Sequence, residues 1–100
     1  MTSVALYVEL KAKPGKEEEV AAFLTGAQSL AASEAGTIVW FAARVDKDTF
    51  FIFDAFNDEA GRNAHLNGPI AAALMANAEK LLARAPVIHK ADILADKLPV

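Results

Sequence analysis

Two neighbouring segments of the chain carry large apolar residues at consecutive positions. They are residues 37–45 and Thr49–Phe56, both rich in β-branched and aromatic residues, and the polar residues 46–48 between them are typical of a hairpin loop. Because successive side chains of a strand point to opposite faces of a sheet, both faces of this hairpin are apolar. We therefore expect a sheet that is covered on both sides.

The first part of the chain predicts a strand followed by a helix. Large aliphatic residues occupy every second position of residues 4–11, which is the period of a strand, and Pro14 and Gly15 end it. Residues 16–33 then carry apolar side chains at helical spacing after an acidic first turn, which complements the helix dipole. Gly36 lies where the helix is expected to stop.

The remainder predicts two helices and a last strand. Residues 57–66 form a short helix that begins with capping side chains, and residues 69–84 form a second helix that begins at a proline and ends before Pro86. Residues 87–94 form the last strand. The order β, α, β, β, α, α, β is the split βαβ arrangement, which predicts an α+β, ferredoxin-like fold with a four-stranded antiparallel sheet and helices on one face.

Composition excludes several classes of protein. The 100 residues fit a single domain over residues 1–100. The formal charge is −3 with scattered Lys and Arg, so nucleic acid is not an expected partner, and the absence of cysteine excludes thiol chemistry. No apolar run reaches membrane-spanning length and no signal sequence is evident, so the expected location is the cytoplasm with no membrane partner.

The helices of such a fold cover only one face of the sheet. Leaving two or three aromatic rings exposed on the other face would forfeit on the order of 10 kcal/mol of apolar burial, which is comparable with the net stability of a domain. We therefore predict a homodimer in which the sheets pack against each other. The C-terminal residues Leu98, Pro99 and Val100 are predicted to contact the partner.

Two ionisable residues are candidates for catalysis. The imidazole of His65 could remove a phenolic proton and leave a phenolate able to pass an electron to oxygen; the alternative is a half-exposed helix residue bonded to a loop carbonyl. Asp54 has apolar neighbours at strand spacing, so its carboxylate must be paired or line a cavity. An ion pair with Arg44 or Arg62 is the structural alternative.

Other candidate residues are weaker. Trp40 could form an aromatic wall with an indole donor for a planar ligand, or it could belong to the core or a dimer interface. The histidines, His65 and His89, are distant in sequence and the carboxylates are scattered, so no metal site is predicted. Neither Gly61 nor Gly68 belongs to a phosphate-binding pattern.

Four segments together resemble the antibiotic biosynthesis monooxygenase family, which includes small quinol monooxygenases. They are the last strand and the sequences VELKAKPGKEEEVAAFL, TFFIFDAF and NDEAGRNAHLNGPI, so the resemblance spans residues 4–94. It implies a dimeric α+β barrel with a pocket between sheet and helices. It also implies oxidation of small aromatic or polyketide substrates by molecular oxygen, often with neither metal nor flavin.

The resemblance assigns roles to individual positions. The acidic residue and the aromatic residue at the end of the third strand correspond to Asp54 and Phe56, although Phe56 lacks a hydrogen-bonding tip. His65 matches the first histidine of the family, whereas Ile70 stands where a second is frequent. Met75 lies near the position of the iron-ligating histidine of heme-degrading relatives, so heme ligation of that kind is not expected.

The resulting prediction is a cofactor-independent monooxygenase that acts on a small aromatic, quinol or polyketide-like substrate. His65, helped by Asp54, would act as base or orienting group, while Trp40, Phe53 and Phe56 would shape the cavity. Two alternatives remain at this stage: a non-catalytic domain that binds an aromatic ligand, and a cyclase or isomerase that needs the base but no oxygen.

Overall fold

The order and pairing of the elements confirm the predicted ferredoxin-like α+β arrangement. The computed structural model describes residues 1–99, so Val100 of the predicted dimer contact lies outside the described residues. The four strands form one antiparallel sheet in the order β2-β3-β1-β4. The elements are β1 (Val4–Lys11), α1 (Glu17–Ala32), β2 (Thr37–Arg44), β3 (Thr49–Phe56), α2 (Glu59–Leu66), α3 (Pro69–Leu81) and β4 (Val87–Asp92).

Helix α3 ends earlier than the sequence pattern predicts. Leu82 adopts an extended conformation, forms an isolated β-bridge with Ala12 and is buried. The amide of Ala83 then donates to the carbonyl of Lys11 at 2.8 Å. A tertiary contact with the end of β1 therefore ends this helix at Leu81, before Pro86 can do so.

One face of the sheet packs against the helices. Phe50 and Ile52 of β3 lie on this face and pair in register with Leu10 and Val8 of β1. Aliphatic residues of α1 and α3 complete the main core, whose buried members are Val8, Leu10, Ala12, Val20, Leu24, Phe50, Ile52, Leu74, Leu81 and Leu82. We call this side of the sheet the covered face.

The other side carries a cross-strand row of rings. Phe53 pairs in register with Tyr7 on one side and with Phe41 on the other, and the ring of Tyr7 lies 5.6 Å from that of Phe51. Phe41 is 61% exposed. We call this side the open face and define it by Tyr7, Val39, Phe41, Phe51 and Phe53.

The backbone of α2 closely approaches the turn before β2. A Cβ atom added to Gly61 would lie 2.9 Å from the carbonyl oxygen of Gly36, and one added to Gly36 would lie 3.1 Å from the Cα of Gly61. The first separation is too short for a side chain, and the second is tight. Just before this contact, the side chain of Asp58 caps α2 by accepting from the amide of Gly61 at 2.9 Å. Among residues 1–99, no helix is long and apolar enough to cross a membrane.

Candidate functional site

Three ionisable side chains from three different segments meet under the covered face. His65 lies on α2, Asp54 on β3 and Glu34 in the turn between α1 and β2. His65 Nδ1 is 2.6 Å from Glu34 Oε1, and His65 Nε2 is 2.9 Å from Asp54 Oδ2. The side chains of His65 and Asp54 are only 7% and 1% exposed. The two sequence-predicted candidates are therefore in direct contact, and Glu34 completes a group that we call the acid–imidazole cluster.

Local structure explains why these groups meet. The Asp58 cap and the glycine contact fix the start of α2, and His65 follows near its end. The imidazole packs beside the ring of Phe56, with 5.6 Å between the ring centroids. Glu34 is held from its own segment because its Oε1 accepts from Thr37 Oγ1 at 2.8 Å. His65 and Glu34 thus each have a second contact that orients them.

The cluster holds a proton. Burial lowers the pKa of His65, but the contacts with Asp54 and Glu34 outweigh that effect and raise it to about 9. His65 is therefore an imidazolium at neutral pH, flanked by two acidic side chains. Within residues 1–99, Asp54 Oδ1 and Oδ2 and Glu34 Oε2 are buried without an aligned hydrogen-bond partner, so the carboxylates retain unused acceptor capacity.

The structural alternatives for Asp54 and His65 are wrong. Arg44 pairs with Glu18 at 2.8 Å, and Arg62 pairs with Glu59 at 3.3 Å while also donating to two backbone carbonyls of the sheet. Neither arginine pairs with Asp54, whose charged neighbour is the histidine of α2. That histidine is buried rather than half-exposed, and its nitrogens face carboxylates rather than a loop carbonyl.

A cavity of about 500 Å³ opens between α1 and β2. Its walls are mainly apolar. Its aromatic lining residues are Trp40, Phe41 and Phe50, and its polar ones are Thr25, Gln28 and Arg44. Trp40 also borders a smaller cavity of about 170 Å³ beside Thr37. This size and lining suit a small aromatic ligand.

Trp40 connects this cavity with the acid–imidazole cluster. It pairs in register with Asp54 on the neighbouring strand, so both side chains lie on the covered face. The indole Nε1 of Trp40 is buried without a hydrogen-bond partner among residues 1–99. An unsatisfied buried donor costs about 1–3 kcal/mol.

The structure brings only part of the predicted set to the α1–β2 cavity. Trp40 lines it, whereas His65 and Asp54 lie beyond its wall. Phe56 is fully buried against His65, and Phe53 lies on the open face, three positions away on the same strand and therefore on the opposite side of the sheet. Within one chain, Phe53 and Phe56 thus do not line the cavity with Trp40.

The cluster is not arranged as a metal site. The two nitrogens of His65 lie beside two separate carboxylates, so the three side chains do not converge on one point. Across residues 1–99, no three or more His, Asp or Glu side chains are placed so that they could hold a metal ion.

Known structures share this fold over nearly their whole length. A protein of unknown function from Nitrosomonas europaea is 58% identical, with a TM-score of 0.98, and the match covers 100% of this chain and 97% of that one. A protein from Pseudomonas aeruginosa is 24% identical, with a TM-score of 0.80 and coverages of 95% and 97%. Rv0793 from Mycobacterium tuberculosis is 17% identical, with a TM-score of 0.83 and coverages of 94% and 97%.

The last two likenesses establish the fold alone. No match was found among functionally curated proteins. The family model for antibiotic biosynthesis monooxygenase, however, matches residues 3–77, which include α1, the β2–β3 hairpin and every member of the acid–imidazole cluster. This chain therefore belongs to the antibiotic biosynthesis monooxygenase family.

Proposed function

We propose that this protein is a cofactor-independent monooxygenase that oxidises a small aromatic, quinol or polyketide-like substrate with molecular oxygen. The observation that carries the proposal is the position of Trp40, which lines a cavity of about 500 Å³ and lies directly beside Asp54 in the sheet. Family membership supports the same reaction class. The proposal includes a single domain over residues 1–100 and a location in the cytoplasm.

The cavity suits a flat substrate. Trp40 and Phe50 offer aromatic surfaces, and Thr25 and Gln28 can exchange hydrogen bonds with substrate hydroxyl or carbonyl groups. Arg44 lies at the side of the cavity and can attract an ionised oxygen, because its guanidinium remains charged at any relevant pH. A substrate of two or three fused rings therefore matches both the shape and the polarity of the site.

Asp54 is the proton acceptor in this proposal, and His65 orients it. The imidazolium already carries a proton on each nitrogen and cannot accept another, whereas the carboxylate of Asp54 has unused lone pairs. Because Asp54 is buried, the substrate approaches it when the Trp40 side chain turns aside. The positive charge of His65 lies beside the Asp54 carboxylate before the transfer and stabilises the substrate anion that the transfer leaves.

The substrate itself supplies the electrons. For an anthrone, loss of a methylene proton gives an anion that passes one electron to oxygen, and recombination of the two radicals gives a hydroperoxide. Loss of water then leaves a carbonyl group. One oxygen atom enters that carbonyl, and the other leaves as water with both methylene hydrogens, so no further reductant is needed.

Oxygen consumption tests the proposal. With an anthrone or a dihydroxynaphthalene, the wild type is expected to consume oxygen, and Asp54→Asn should lower kcat/KM by at least about 100-fold, which is the usual contribution of a general base. Asp92→Asn, which alters an exposed aspartate of β4, serves as the matched control. Unchanged turnover in Asp54→Asn with retained circular dichroism would remove Asp54 from the mechanism.

A non-catalytic domain that binds an aromatic ligand is the second candidate. It is favoured by the burial of Asp54 and His65, which lie behind the cavity wall. A ligand that raises the melting temperature without consuming oxygen or forming product would support this candidate. Oxygen uptake that depends on Asp54 would exclude it.

The open face supports a homodimer. Its exposed rings, including Phe41, would be buried if two sheets packed face to face. Tyr7 also lies 5.7 Å from the imidazole of His89, which is bonded to Glu9 at 2.7 Å, so the edge of this face is polar. A polar rim around an apolar centre is typical of protein interfaces.

A further inference from the structure

Glu34 has the closest contact of any group with His65, although no sequence pattern pointed to it. Its Oε1 lies 2.6 Å from His65 Nδ1, and its side chain is only 16% exposed. The hydroxyl of Thr37 donates to the same oxygen, so the carboxylate is anchored in its own turn. The contact joins the α1–β2 turn to α2 across 31 positions of the chain.

We infer that Glu34 is a positioning residue, which holds His65 in its doubly protonated form and thereby keeps a positive charge against Asp54. The relevance of this role to turnover rests on the proposed function. The charge state of His65 itself does not depend on that proposal.

The argument follows from which groups can donate. A carboxylate only accepts hydrogen bonds, whereas a neutral imidazole has one donor nitrogen and one acceptor nitrogen. In this cluster each nitrogen lies within 3 Å of a carboxylate oxygen. A neutral His65 would therefore place a lone pair within 3 Å of one of these oxygens. Only the imidazolium can face both Glu34 and Asp54 favourably.

Among the charged groups near His65, Glu34 is the one that supplies a second carboxylate beside Asp54. Glu34 faces His65 from the α1–β2 turn, and Asp54 faces it from β3. On α2 itself, Arg62 lies one turn earlier, but its guanidinium contacts Glu59 and the carbonyls of β1 and β4. With Glu34 uncharged, His65 would have one carboxylate partner and could become neutral without such a conflict.

Nuclear magnetic resonance of the imidazole nitrogens tests the inference. In the wild type, both nitrogens of His65 should be protonated at pH 7.5. Glu34→Gln removes the charge but keeps a similar shape, and we expect it to lower the titration midpoint of His65 by at least about one pH unit. Glu59→Gln, which changes the acidic first residue of α2, should leave the midpoint unchanged. His89 provides an internal reference.

Turnover separates positioning from simple structural support. In Glu34→Gln, the alkaline limb of the kcat/KM profile should move to lower pH by the same amount as the midpoint of His65, and activity at low pH should approach that of the wild type. A loss that is equal at every pH would overturn the positioning role.

The inference can fail independently of the proposed function. A neutral His65 in the wild type at pH 7.5 would overturn it even if the Glu34 variant did not fold, and so would an unchanged midpoint in Glu34→Gln. Absence of oxygen uptake by the wild type would instead defeat the proposed monooxygenase, while the nitrogen spectra would still decide the role of Glu34.

Discussion

The two faces of the sheet use the same kind of residue in different surroundings. Phe50 and Phe56 are at most 2% exposed beneath the helices, whereas Phe41 on the open face is 61% exposed. Phe50 and Phe51 are neighbours in sequence but lie on opposite faces. An aromatic strand therefore predicts burial of both faces, whereas the fold decides which face the chain covers by itself.

The two histidines extend this comparison to charge. His65 is buried between two carboxylates, whereas His89 is about half exposed and contacts Glu9 alone. Because His65 is buried beside two carboxylates, the gain or loss of its proton has a large effect on the stability of the fold. On the open face, solvent screens the contact between His89 and Glu9 and reduces its contribution.

The largest expected effect is a difference between adjacent phenylalanines of β3. Phe50→Ala removes a ring from the core and should lower the free energy of unfolding by about 3–5 kcal/mol. Phe51→Ala removes a half-buried ring from the open face and should cost less. Chemical denaturation at several protein concentrations measures both. If both variants lost the same free energy of unfolding at high dilution, the assignment of covered and open faces would be wrong.

The next effect is the dependence of stability on pH. The pKa of His65 rises from 6.5 in the unfolded chain to about 9 in the fold, so protonation stabilises the fold. This contribution, on the order of 3 kcal/mol, should be complete below pH 6.5 and disappear as pH rises through 9. Denaturation across this range measures it. His65→Leu should flatten the dependence and His89→Gln should retain it; a slope that persists without His65 would assign it to other groups.

The smallest of the three effects concerns the open face. Phe41→Glu places a charge among the exposed rings and should weaken self-association by roughly 2 kcal/mol, because an interface tolerates an unpaired charge poorly. Sedimentation equilibrium measures the association, and Phe41→Tyr is the matched control. A wild-type mass equal to one chain at micromolar concentration would remove the proposed dimer.

Local patterns predicted the fold well but the site only in part. The bounds of β3 agree with the prediction residue for residue, since alternation and hairpin chemistry are properties of neighbouring residues. The early end of α3 depends on the contact of Leu82 with Ala12, about 70 positions away, which no local pattern contains.

The acid–imidazole cluster was likewise predictable only in part from local sequence patterns. Asp54 could be predicted because a carboxylate among apolar strand residues needs a partner. His65 could be predicted because an imidazole can exchange a proton near neutral pH. Glu34 was missed because its partner lies on another element. The sequence shows only that Glu34 lies two positions before Gly36, and the fold brings this turn against the short helix.

The contact between Gly36 and Gly61 has a consequence for engineering. The turn that carries Glu34 and the helix that carries His65 are spaced by their main chains. A methyl group at Gly61 would lie 2.9 Å from the carbonyl oxygen of Gly36 and should push the turn that carries Glu34 away from the helix that carries His65. Gly61→Ala should therefore change the separation of Glu34 and His65, and with it the protonation of His65, without altering any ionisable group.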